Sequence, residues 1–272
     1  MLSRLQPGLG AVLLISIMPA SEPRPLIIAH RGESYVAPEN THAAFALAWK
    51  HGISAIELDV HLSADGHVVV CHDADTYRTT GKTIKQVIAN STYAELRSLD
   101  VGAWKAPAYA GEAIPLLSEV LARMPAQASI FIELKPAQVA LVPATIAVMK
   151  ASGRLPALMP VISFHAKLLE AFHQHWPDGA PTYLLANVKA DEPSLDHLIA
   201  AATACHAGGL DLQNRPPVNK AFIAKVHAAG LRCYVWTEDD PHAAKAFADA
   251  GIDGITTNRA AWLSQQLGYS SP

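Results

Sequence analysis

The sequence predicts an α/β fold, a (β/α)8 TIM barrel, on three observations. From residue 26 onward, short β-branched runs alternate with Ala- and Leu-rich helical stretches, the order that builds a parallel sheet through crossover helices. Several runs show no polar alternation, as expected of strands covered on both faces. The length, 272 residues, is what one barrel domain needs.

The elements follow in order. Strands are expected at Leu26–Ala29, Ala55–Val60, Val68–Cys71, Ile130–Leu134, Pro160–Ser163, Thr182–Leu185, Gly209–Leu212, Cys233–Trp236 and Gly254–Thr256. Helices are expected at Thr41–His51, Leu117–Met124, Val142–Ala151, Lys167–His175, Ser194–Cys205, Val218–Ala229, Pro241–Ala250 and Arg259–Gln266. Late in the chain a helix ends at Gly230 or Gly251 and a strand follows at once, the mark of a left-handed glycine cap. Residues 73–115 break this grammar. They are too long for a simple loop and read as a small inserted subdomain with one helix near Tyr93–Leu99. No other linker divides the chain, so residues 26–268 read as a single domain.

Residues 1–25 read as an N-terminal extension. The apolar run from Ala11 to Met18 is shorter than the about 20 residues that span a bilayer. A secretory leader ending near Ala20 is the alternative, with Met18 a poor residue for its cleavage site.

Composition removes other function classes. Lys and Arg number 21 against 24 Asp and Glu, for a net charge of −3, so no basic excess exists to hold a nucleic-acid backbone. The basic residues are scattered, so there is no polybasic patch and no stable membrane insertion is expected. Cys71, Cys205 and Cys233 are an odd set without C-x-x-C spacing, against a disulfide framework or a thiolate zinc site. A reducing compartment, the cytoplasm, fits; the periplasm is the alternative if the leader is real. Oligomeric state is not legible.

The chemistry-bearing residues fall at strand ends, which in a parallel barrel open onto the catalytic face. His30-Arg31-Gly32 ends the first strand: the His titrates near neutrality, and the Arg fork suits phosphate oxygens. Alone, the tripeptide reads equally well as a structural His beside a surface Arg. Glu57 and Asp59 share one face of their strand by its period of two, and two carboxylates converging in a barrel mouth suit a divalent cation. Asp65-Gly66 is a turn dipeptide in a hairpin-like excursion that delivers His72, with Asp73 to orient it or cap the next turn. Glu133 and Lys135 again share a face: a third oxygen ligand and a point charge for phosphate, or else a local salt bridge. Phe164 and Trp236 end strands as an apolar wall beside the scissile group, with ordinary core packing the competing reading. H-E-x-x-H, G-x-S-x-G and Walker A patterns are absent.

Taken together, His30-Arg31-Gly32, Pro38-Glu39-Asn40-Thr41, Glu57-Leu58-Asp59-Val60, Asp65-Gly66, His72-Asp73 and Glu133-Leu134-Lys135 resemble the glycerophosphodiester phosphodiesterase family, nearest its cytosolic bacterial type. The similarity continues through residues 114–120, Ser163-Phe164, Val235-Trp236-Thr237 and residues 251–257. The resemblance implies one divalent cation, Mg2+ or Ca2+, with Glu57, Asp59 and Glu133 matching its ligands. It implies His30 and His72 as the acid/base pair, Arg31 and Lys135 as phosphate contacts, and Phe164 and Trp236 beside the glycerol. The implied partner is a small-molecule glycerophosphodiester, such as glycerophosphocholine or glycerophosphoethanolamine, cleaved to glycerol 3-phosphate and an alcohol. The family usually ends its last strand with Thr-Asp; here it is Thr257-Asn258, read as a peripheral change. Two rivals remain. A phospholipase D-like enzyme on lysophospholipids or sphingomyelin needs an apolar approach surface, and no aromatic or Leu-rich loop is evident. A non-catalytic binding barrel predicts a missing catalytic group, and none is missing.

Overall fold

The computed structural model describes residues 24–188 and 194–269. The candidate leader lies outside the described residues. Among the described residues, nine strands alternate with helices: β1 (Leu26–Ala29), α1 (His42–Lys50), β2 (Ala55–Leu62), β3 (Val68–Val70), α2 (Tyr93–Arg97), α3 (Leu117–Arg123), β4 (Ser129–Leu134), α4 (Leu141–Ala151), β5 (Val161–Ser163), α5 (Ala166–His175), β6 (Thr182–Ala186), α6 (Leu195–Ala204), β7 (Gly209–Gln213), α7 (Lys220–Ala228), β8 (Arg232–Trp236), α8 (Pro241–Asp249), β9 (Gly254–Thr257) and α9 (Ala260–Gln266). Eight of the strands run parallel in the order β1-β9-β8-β7-β6-β5-β4-β2, and β1 pairs with β2 to close the barrel.

Alternation along each strand sorts side chains into two cores. Ile27 and Ala29, Ile56 and Leu58, Leu210 and Leu212, Cys233 and Val235 face the helix layer. Ile28, Ala55, Phe131, Ile162, Tyr183, Leu185 and Tyr234 fill the barrel interior. Both faces of a strand such as β1 are therefore buried, which is why its run lacks polar alternation. Local signals hold the helices in place. Thr41 Oγ1 accepts from Ala44 N at the start of α1, Asn219 caps α7 and Asp240 caps α8. Gly230 and Gly251 take the left-handed conformation just past α7 and α8, as their spacing predicts.

The excursion after β2 is an antiparallel pair, with Val60 opposite Val70 and Leu62 opposite Val68. This pairing carries β2 two residues beyond its expected end. The following segment builds its own small core from Val69, Cys71, Ile88, Leu96, Leu99, Val101 and Ile114. Its one α-helix is α2, capped by a reciprocal Thr92–Glu95 box. Lys105 Nζ donates to the Ser34 carbonyl at 2.7 Å, tying this insertion across the loop after β1 on the catalytic face. All three cysteines are free and buried. Among the described residues, no helix is long and apolar enough to cross a membrane.

Tyr35, Val36, Tyr77, Val87, Val139 and Phe164 are exposed apolar residues on the loops and strand ends of the catalytic face. Apart from the adjacent Tyr35 and Val36 they are scattered in sequence, so no single loop reads as an apolar approach.

Candidate active site

One pocket at the C-terminal mouth of the barrel is lined by His30, Arg31, Glu57, His72, Glu133, Lys135, Ile162, Phe164, Leu185, Asp211, Trp236, Thr237 and Thr256. It collects eight of the nine sequence-predicted site residues. The ninth, Asp59, is fully buried beside Glu57 and Glu133, and one carboxylate oxygen from each of the three lies within 4.8 Å of the others.

The loop after β1 is bent to make this possible. Arg31 and Gly32 both take positive φ, 55° and 81°. A Cβ on Gly32 would come within 2.7 Å of the Ala44 backbone, so only glycine lets α1 approach this closely. The bend aims Arg31 N at Glu57 Oε2, 3.0 Å away, and sets Arg31 Nε 3.3 Å from Asp59 Oδ2.

The carboxylate cluster is electrostatically unbalanced. Burial first, then repulsion from Asp59 and Glu133, pushes the Glu57 carboxyl well above its usual range. Burial and Asp59 push Glu133 up to about 8, with Lys135 Nζ, 2.9 Å from Glu133 Oε1, opposing. Burial also works to raise Asp59, but the charges of Arg31, His72 and Lys135 outweigh it and hold Asp59 low. Glu57 Oε1 and Asp59 Oδ1 are buried and accept no hydrogen bond among the described residues. Unpaired carboxylate oxygens packed this closely fit a hard divalent cation, and the all-oxygen donor set suits Mg2+ or Ca2+.

The two histidines are held differently. His30 Nδ1 meets Asn258 Oδ1 at 2.7 Å. Burial, then the Arg31 charge, pulls its pKa down to about 4. His72 Nδ1 meets the Asp73 carboxylate at 2.7 Å, and Arg78 Nε donates to the other Asp73 oxygen, also at 2.7 Å. Burial lowers the His72 pKa too, against the raising pull of Asp59 and the Asp73 bond. His61 Nε2 lies 3.1 Å from the His72 carbonyl and fixes its backbone.

On the far side, Phe164 and Trp236 meet edge to face with centroids 5.5 Å apart. They form a wall of the pocket rather than core packing, Phe164 being 37% exposed.

Sequence reasoning missed a supporting layer. Glu39 accepts from Arg31 at 2.8 Å and from Arg78 Nη2 at 2.9 Å, joining the loop after β1 to the insertion. Asn40 brackets Asp59, its Nδ2 donating to Oδ2 at 2.8 Å. Both lie in Pro38-Glu39-Asn40-Thr41, where a buried polar pair in a loop was the available signal. Asn258, read as peripheral, instead touches His30 directly; β9 sits beside β1 only in the closed barrel. Arg78 carried no signal, because its partners Glu39 and Asp73 meet it only through tertiary structure.

Residues 30–261 match the model of the glycerophosphoryl diester phosphodiesterase family. The chain belongs to this family. A glycerophosphodiester phosphodiesterase of Bacillus altitudinis is 31% identical over 240 residues, covering 85% of this chain and 94% of that protein. One from Bacillus subtilis is 29% identical over 254 residues, covering 88% of this chain and 85% of that one. Among solved structures, an Oleispira antarctica phosphodiesterase in complex with the product sn-glycerol-3-phosphate superposes with a TM-score of 0.81 at 29% identity, covering 90% of this chain and 97% of that chain.

Proposed function

We propose that this family member hydrolyses glycerophosphodiesters to glycerol 3-phosphate and an alcohol, with its chemistry carried by one domain, residues 26–268. The observation that carries the reading is a single pocket holding two histidines, two cations and a carboxylate cluster opposite an apolar wall. Glu57, Asp59 and Glu133 would hold one divalent cation, Mg2+ or Ca2+. When bound, that cation neutralises the carboxylates and polarises a non-bridging phosphate oxygen. Arg31 and Lys135 place the phosphate by fork and point charge. Phe164 and Trp236 exclude water from the glycerol side.

His30 takes the proton from the attacking hydroxyl, because its Nδ1 bond to the neutral Asn258 amide leaves Nε2 the free basic nitrogen. His72 gives a proton to the leaving alkoxide, because the Asp73 carboxylate on its Nδ1 stabilises the imidazolium. Purified protein should turn over glycerophosphocholine and glycerophosphoethanolamine. Exhaustive chelation should stop it, and Mg2+ or Ca2+ should restore it. Full activity after chelation would overturn the metal reading.

A second reading rests on the apolar residues around the mouth. Tyr35, Val36, Val139 and Phe164 would suit the acyl chain of a lysophospholipid. Lysophosphatidylcholine assayed beside glycerophosphocholine separates the two. We place the enzyme in the cytoplasm, on three buried free thiols and no pairing among them. Fractionation finding a periplasmic product starting near residue 21 would overturn this.

A further inference from the structure

One ionisable group in the pocket is used by none of these steps. Asp211 lies on β7, across the barrel from β2 and its carboxylates. Its neighbours Leu210 and Leu212 face the helix layer, so Asp211 points into the barrel, where it lines the catalytic pocket. It is 1% exposed, and Oδ1 has no hydrogen-bond partner among the described residues. No cation is paired with it among the salt bridges of the described residues, unlike Asp59 and Glu133, which have Arg31 or Lys135 beside them. Its register partners are uncharged, Leu185 on β6 and Tyr234 on β8, and Ile162 lines the same pocket. A leucine would fill this place without burying an unpaired polar group.

We propose that Asp211 is a substrate-recognition residue whose carboxyl hydrogen-bonds a free hydroxyl of the glycerol moiety. This rests on the phosphodiesterase reading above and adds a specificity contact to it. Depth supports a small polar group as the ligand. Gln213 is the register partner of Trp236, so Asp211 sits one inward position deeper than the aromatic wall. Trp236 Nε1 donates to the Asp211 carbonyl at 3.2 Å, fixing the wall against this residue's backbone. Arg31 and Lys135 line the same pocket as Phe164, Trp236 and Asp211, so a phosphate held by the two cations shares one cavity with this carboxyl. Chemistry selects a hydroxyl over an ammonium group. Burial pushes the Asp211 carboxyl up to about 7, so both protonation states occur near neutrality. A hydroxyl donates to the carboxylate and accepts from the acid, whereas an ammonium only donates.

The test uses Asp211→Leu and Asp211→Asn in the metal-loaded enzyme. Substrates are glycerophosphocholine, glycerophosphoethanolamine, glycerophosphoglycerol and bis(p-nitrophenyl) phosphate, the last carrying neither hydroxyl nor ammonium. Asp211→Leu should lower kcat/KM for the three glycerophosphodiesters by about 10- to 100-fold more than for the aryl diester, equally for all three. Asp211→Asn keeps a donor and an acceptor and should recover most of that loss. A loss confined to choline and ethanolamine substrates would make this an ammonium site and overturn the assignment. An equal loss on all four substrates, or none, would overturn it as well. Calorimetric binding separates this from failure of the functional reading. If the wild type hydrolyses no glycerophosphodiester, that reading fails. The preference for sn-glycerol 3-phosphate over inorganic phosphate, expected in the wild type and lost in Asp211→Leu, still tests Asp211. If Asp211→Leu does not fold, Asp211→Ala carries the same comparison.

Discussion

His30 and His72 line one pocket, and each offers its Nδ1 to an oxygen 2.7 Å away. The bond lengths match but the charges do not. His30 faces the amide of Asn258, deep against Glu57, whose Oε2 is 3.9 Å from its Nε2. A neutral acceptor fixes the tautomer without stabilising a positive ring. His72 is more open to solvent and faces a carboxylate that Arg78 clamps from behind. That carboxylate, held down to about 2 by hydrogen bonds from Arg78 and His72 against the effect of burial, stays charged near neutrality. Two identical side chains thus differ in the charge of the atom behind them, which is the basis of the opposite roles proposed for them.

The largest effect should strike both sides at once. Chelation, or Glu133→Gln, should abolish turnover while the far-UV circular dichroism stays native. If either histidine side works without the cation, activity will survive chelation. Next come the histidines. His30→Ala and His72→Ala should each lower kcat by about 10²–10⁴-fold. The double variant should be little worse than the worse single, because the pair acts as one unit. Wild-type turnover in His72→Ala would remove it from the mechanism.

Exchanging the two supports should separate the two titrations. Asn258→Asp places a carboxylate behind His30 and should raise its pKa by about 1 unit or more. A base must be neutral, so the acidic limb of the pH–rate profile should move up. Asp73→Asn removes stabilisation of the His72 cation, so the basic limb should move down. Both limbs moving together in either variant would contradict separate roles.

The smallest effect falls on stability. The folded Asp211 carboxyl titrates at about 7, above its ordinary 3.8, so the native state holds a proton that the unfolded chain has released. Stability therefore falls as pH rises from 3.8 toward 7 and is flat above it. Asp211→Asn should remove this slope, a difference of at most roughly 3 kcal/mol between pH 5 and pH 8 in urea denaturation. Parallel curves for the two proteins would show that Asp211 is not the buried acid described.

Much of this was readable in the sequence, because strand period and strand ends are local properties. Alternation alone put Glu57 with Asp59, and Glu133 with Lys135, on inward faces, and the nine strand runs reappear nearly residue for residue. The Asp65-Gly66 turn likewise carried His72 back to the mouth. What lay beyond reach were contacts between residues far apart in the chain. Asn258 reaches His30 only because β9 closes against β1, 228 residues away in sequence. Arg78 gains its meaning from Glu39 and Asp73, and Asp211 from its place in the pocket, in a barrel interior that exists only once eight strands have closed. Local periodicity decided which side chains would face inward; which of them would meet, and with what charge behind them, was settled by the long-range pairing that closes the barrel.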